Sequence, residues 1–95
     1  MVTIKNKSGK VKEQETTYAK MICDCVSHPP AGGWSFEEMK HHLKIESVAR
    51  EANGEVKLEN AEFQALKKCL DNQKWIILSP FIVEFVEYIR GLKEQ

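Results

Sequence analysis

The chain carries no net charge, no long apolar run and no even set of cysteines. Fourteen basic and fourteen acidic residues cancel over 95 positions. Strong non-specific affinity for nucleic acid depends on a positive field, so this balance argues against it. The most apolar stretch, WIILSPFIVEFV, is broken by Ser79, Pro80 and Glu84. It falls short of the roughly 20 apolar residues of a membrane span, so no membrane contact is expected. Met1 leads into VTIKNKSGKVKEQE, which lacks the apolar centre of a secretion signal. Three cysteines in such a chain are expected to be reduced thiols in a cytoplasm. There is no internal repeat and no low-complexity segment. PAGGW lacks the strand before it and the Lys-Ser/Thr after it that a phosphate loop needs. No carboxylate pair stands out, so the expectation is a protein that is not an enzyme and holds no cofactor.

What is present reads as one domain of mixed class. An apolar share of 42% and a charged share of 29% are those of an ordinary folded domain with a modest core. Residues 1–12 are basic, with Lys5, Lys7, Lys10 and Lys12 before the first acid at Glu13. This segment is either a solvated arm or a short strand or hairpin, and it is expected to add little to folding. Residues 13–95 form the globular domain. Tyr18, Met21, Ile22, Cys25 and Val26 share one face of a first helix, which starts between Glu13 and Thr17. His28-Pro29-Pro30 ends it and Ala31-Gly32-Gly33 turns the chain.

A second helix begins at SFEE, where Ser35 and Glu38 have the spacing of a capping box. Trp34 and Met39 are placed to staple its start. Phe36, Met39 and Leu43 give one buried stripe, and Ile45, Val48, Ala49 and Ala52 a second, out of phase with the first. That mismatch predicts a bend between Lys44 and Glu46. EVKL alternates as a short strand, with WIIL at 75–78 as its candidate partner. Asn60 caps a third helix built on Phe63, Leu66 and Leu70, and DNQK at 71–74 turns the chain. Pro80 opens a fourth helix with Ile82, Phe85, Val86 and Ile89 on one face. The expected fold is α+β and mainly helical: about four helices with a small two- or three-stranded sheet.

Three readings compete for CDCVSHPPAGGWSFEEMKHH, residues 23–42. A metal site would use Cys23, Cys25 and His28, with His41, His42 and Cys69 behind them. Cys23 and Cys25 diverge by roughly 200° around a helix, so no metal is expected. A helix-turn-helix or winged-helix DNA-binding regulator would read bases with the second helix. It would touch phosphates through Lys40 and Lys44, with Lys5 to Lys12 as an arm. The long connector, Glu37 and Glu38 at the helix start, and the zero net charge all resist that reading. The third is a small protein-interaction module. Its anchors are Trp34, or Phe81 and Tyr88 seven residues apart on the last helix, and its partner another protein or a second copy held through that helix. Trp34 and Trp75 both sit at element boundaries, where plugging the core is the simpler role.

HPPAGGWSFEEMKHHLKI, LENAEFQALKKCL and PFIVEFVEYI together resemble small uncharacterised proteins encoded by tailed phages and prophages. The resemblance spans residues 20–90 and implies a bacterial cytoplasmic setting with an accessory or assembly role. It carries over no site residue. The main expectation is therefore an interaction module, and the DNA-binding regulator is the alternative.

Overall fold

A computed structural model describes residues 1–28, 32–75 and 77–93. The order is β1 (Val2–Lys5), β2 (Ser8–Val11), β3 (Gln14–Thr17), α1 (Tyr18–Ser27), α2 (Phe36–Arg50), β4 (Glu55–Leu58), α3 (Asn60–Asn72) and α4 (Pro80–Gly91). The fold is α+β and predominantly helical, as expected. It has two separate two-stranded sheets, β1–β4 and β2–β3.

β1 corrects the idea of a dispensable arm. Val2 and Ile4 lie opposite Leu58 and Val56 in an antiparallel ladder, and all four are 0–2% exposed. EVKL therefore pairs with the amino-terminal strand and not with WIIL. A two-stranded sheet with one wet face requires alternation, which VTIK has and WIIL lacks. Trp75, Ile77 and Leu78 belong to no strand, and Ile76 lies outside the described residues.

β2 and β3 form a hairpin, and α1 starts only at Tyr18. Its two turn residues, Lys12 and Glu13, both have positive φ, 49° and 68°. That shape closes two-residue hairpins but is usually written Asn-Gly, so the sequence carries no signal for it. The strands then cap α1. Tyr18 N donates to Lys7 O at 2.9 Å, Ala19 N to Asn6 Oδ1 at 2.8 Å, and Lys20 N to Thr17 Oγ1 at 3.1 Å. Three of the four orphan donors of a helix start are satisfied this way. Gly32 and Gly33 adopt positive φ in the α1–α2 connection. The expected stop at Pro29-Pro30 and the turn residue Ala31 lie outside the described residues.

α2 is one unbroken helix, so the expected bend at Lys44–Glu46 is absent. The Ser35–Glu38 capping box is present as expected. The two stripes must then face opposite ways, and only the second is inside. Ile45 and Ala49 are 0% and 2% exposed, while Phe36, Met39 and Leu43 are 69%, 43% and 60% exposed. Small Ala49 and branched Ile45 let α2 approach its neighbours closely, and polar bonds hold the alignment. Ser27 Oγ donates to Glu46 Oε2 at 2.8 Å.

α3 runs through Asn72, longer than expected, with Glu59 and not Asn60 at the cap position. Phe63, Leu66 and Leu70 are buried as anticipated. α4 buries Ile82, Phe85 and Ile89. Tyr18 sits at the centre of an aromatic group, with ring centroids 5.2 Å from Phe81, 5.0 Å from Phe85 and 5.6 Å from Tyr88.

Candidate functional site

The inner face of the first turns of α2 is polar. Glu38, His41 and His42 recur at three and four residues and share one side of the helix. Opposite them α3 places Lys68, Cys69 and Asn72, and a cavity of about 530 Å³ opens between the two faces. His28, Trp34, Ala65, Gln73 and Lys74 also line it. Two facing helices ordinarily bury apolar stripes against each other. Here that role passes to polar groups, and the apolar stripe of the same turns faces solvent.

The carboxyl end of α1 explains part of this arrangement. A helix leaves its last carbonyls without internal partners, and side chains from the cavity wall supply them. His28 Nδ1 lies 3.2 Å from Asp24 O and His42 Nδ1 2.9 Å from Val26 O. Cys69 Sγ donates to Cys25 O at 3.2 Å. A ring nitrogen facing a carbonyl carries the proton, so both imidazoles hold it on Nδ1 and turn Nε2 elsewhere. Glu38 is spent on the cap, accepting from Ser35 N at 3.3 Å. Hydrogen bonding by Ser35, side chain first and then main chain, holds its carboxyl below the usual range, with Lys68 and His42 adding to the effect. The Trp34 ring lies 5.6 Å from that of His42, and its buried Nε1 has no hydrogen-bond partner among the described residues.

All three histidines and Cys69 thus converge, while Cys23 and Cys25 point away from one another. Cys23 Sγ lies 3.8 Å from Glu46 O, and Cys25 is buried. Among the described residues no group of three or more His, Cys, Asp or Glu side chains is arranged to hold a metal ion. Burial raises the pKa of every thiol. Cys25 is pushed up to about 12, chiefly by burial and then by Cys69 and Asp24. Cys69 is raised by burial alone. Cys23 is raised by burial and then by Glu46, against an opposing pull from Arg50. Such thiols are poor nucleophiles at neutral pH.

The other anticipated site residues separate. Phe81 and Tyr88 are half-buried. Both pack on the core, Phe81 against Gly9, where an added Cβ would overlap its ring. Tyr88 Oη accepts from Lys5 N at 2.9 Å. α4 lies against the hairpin and β1, which half-covers Phe81 and Tyr88, while Val83 on the same helix stays 54% exposed. Trp34 faces the cavity wall and does not staple Met39, which lies on the outer side. Trp75 is 38% exposed. The lysines are spread over β1, the β2–β3 hairpin and α2. Lys5 stands across from Glu55 and Lys10 from Glu15. Lys40 pairs with Glu37 at 3.8 Å and lies 5.5 Å over the Phe36 ring. Lys44, like Lys7 and Lys12, is exposed.

Lys68, Asn72 and Lys74 are site residues that sequence reasoning missed. The signal available was the polar spacing of Glu38, His41 and His42, three and four residues apart on one side of α2. Among the described residues no helix is long and apolar enough to cross a membrane. Set against models of known families, curated proteins and solved structures, the chain gives no match.

Proposed function

We propose that this chain is a protein-interaction module that docks its partner on the outer face of α2. One observation carries the reading: Phe36, Met39 and Leu43 stand in a row on the side of α2 away from the core, more exposed than any residue of its other apolar stripe. An apolar row of this kind on a small domain is normally covered by another surface. Helix-in-groove and helix-on-helix recognition read such anchors at spacings of three and four. Lys40 and Lys44 flank the row, so the fitting partner presents an apolar strip with acidic neighbours. An accessory or assembly role in a tailed phage or prophage is the setting that the resemblance of the quoted segments adds to this reading.

Phe36→Ser with Leu43→Ser tests it. Both side chains are largely exposed, so the double variant should keep the wild-type urea midpoint. It should lose the wild-type protein's association with itself in sedimentation, or with the partner it retains in affinity capture. A variant that unfolds, or one that keeps every association, overturns the reading. Titration with mixed duplex DNA at low and moderate salt should show no binding. Micromolar binding with a steep salt slope would transfer the case to the DNA-binding regulator.

A further inference from the structure

We infer that the outer edge of β4 pairs antiparallel with β4 of a second copy of this chain, about a two-fold axis through Val56. The β1–β4 ladder shows which backbone groups are left over. In an antiparallel pair, residues that bond across the ladder alternate with residues whose N–H and C=O point the other way. Asn6 N donates to Gly54 O at 3.1 Å, and the pairs Ile4–Val56 and Val2–Leu58 follow in the same phase. Lys5–Glu55 and Thr3–Lys57 are in the opposite phase, so their backbone groups turn away from the ladder. On the β1 side that edge is capped, because Lys5 N donates to Tyr88 Oη at 2.9 Å. On the β4 side, among the described residues, no backbone hydrogen bond ends on Glu55 or Lys57, and both residues are exposed. Buried backbone groups are almost always paired, so these two donors and two acceptors face water.

Charge complementarity selects the occupant. An open strand edge is a template for another strand, and charges along it ordinarily discourage pairing. Here the two charges have opposite signs and stand two residues apart. Because only Glu55 and Lys57 turn their backbone groups outward, self-pairing about a two-fold has three registers. One centred on Glu55 sets that carboxylate against itself, and one centred on Lys57 sets that ammonium against itself. The register centred on Val56 sets Glu55 against the second copy's Lys57, twice. Opposite charges across a ladder are favourable and like charges are not. The same register lets each Glu55–Lys57 pair exchange two hydrogen bonds, which satisfies every outward group on both copies. Val56 meets its symmetry mate on the core face, and the strands join as β1–β4–β4–β1. A lone two-stranded sheet is marginal in water and gains from added strands. The contact is isologous, so it closes as a dimer and does not propagate.

The test combines sedimentation equilibrium with amide exchange on the full chain, from low micromolar to millimolar concentration. The expected result is a monomer–dimer equilibrium. In the dimer the Glu55 and Lys57 amides should exchange about tenfold more slowly or better, while Val56, already bonded to Ile4, changes less. Lys57→Glu adds no repulsion within the chain, because Thr3 stands opposite. It should fold as the wild type does and weaken dimerisation by about tenfold or more, since it sets carboxylate against carboxylate twice. Glu55→Lys should weaken it likewise. Mixing the two variants should restore a dimer of one copy of each, with opposite charges across both pairs. A chain that stays monomeric throughout leaves the edge to an extended segment of some other protein and overturns the inference. So do Glu55 and Lys57 amides that exchange alike at all concentrations, a Lys57→Glu dimer as tight as the wild type, or a mixture that does not recover. Phe36→Ser with Leu43→Ser should leave this dimer intact. If that double variant abolishes the dimer and Lys57→Glu does not, self-association belongs to the outer row of α2 and the β4 pairing is wrong, so the two readings stand or fall separately.

Discussion

The two halves of α2 belong to one unbroken helix and obey opposite rules. From Ile45 onward the helix turns Ile45 and Ala49 to the core and its charges to solvent. From Phe36 to Leu43 it turns Glu38, His41 and His42 inward and its large apolar side chains outward. The second half is held by close packing. The first is held by the capping box at Ser35 and by the His42 bond to α1. Burial of an apolar side chain is favourable wherever it occurs, so the lesson concerns competition. When two out-of-phase stripes share an unbroken helix, one of them must lose its place in the core. The stripe with small residues wins because it lets backbones approach, and the loser is left facing solvent.

Replacing Ile45 by Ala gives the largest expected effect. Its side chain is fully buried, so the loss should be about 2–5 kcal/mol in urea unfolding. A loss below about 1 kcal/mol would mean that the second half is as loosely held as the first.

Next comes alkaline pH, which probes the dry side of the core. Burial holds the Cys25 thiol protonated up to about 12, whereas an unfolded thiol ionises near 8.5. In the window between, the unfolded chain binds fewer protons than the native one. The stabilisation is complete below about 8.5 and is lost as pH rises toward the folded value, at up to about 1.4 kcal/mol per pH unit. Unfolding midpoints across that window should fall, and Cys25→Ala should flatten the fall. An identical slope in the variant would assign the effect to other groups.

Removing the cap should cost less. Ser35→Ala takes away the acceptor for Glu38 N, at about 1 kcal/mol. Because the cap anchors only the first half, amide exchange should speed up near Glu38 and leave Ala49 protected. The smallest effect should come from Leu43→Ala. With its side chain mostly in solvent, stability should stay within about 0.5 kcal/mol. A loss like that of Ile45→Ala would erase the distinction between the two halves.

Much of the helical plan was legible because its signals are local. The Ser35–Glu38 spacing, Pro80 at a helix start and the faces of α1, α3 and α4 are read from neighbours a turn apart. The strand at 55–58 was legible as an element, though its partner was not. β1 pairs with a strand more than fifty residues away, and alternation says that a face is buried without saying against what. The candidate site was legible only in pieces. Its histidines stood out as residue types, but Lys68, Asn72 and Lys74 join them only once α3 lies across from α2.

The sequence by itself determined the four helical faces, the Ser35–Glu38 cap and the mixed, mainly helical class, because propensity, capping and periodicity act over a few residues. Tertiary structure alone decided which stripe of α2 is inside, that the first strand is paired and buried on one face, and that Phe81 and Tyr88 pack against the core. It also decided that three histidines and two lysines face one cavity. Each of these depends on which surfaces meet, and that is settled by the packing of distant segments, where one face can be buried only by leaving another exposed.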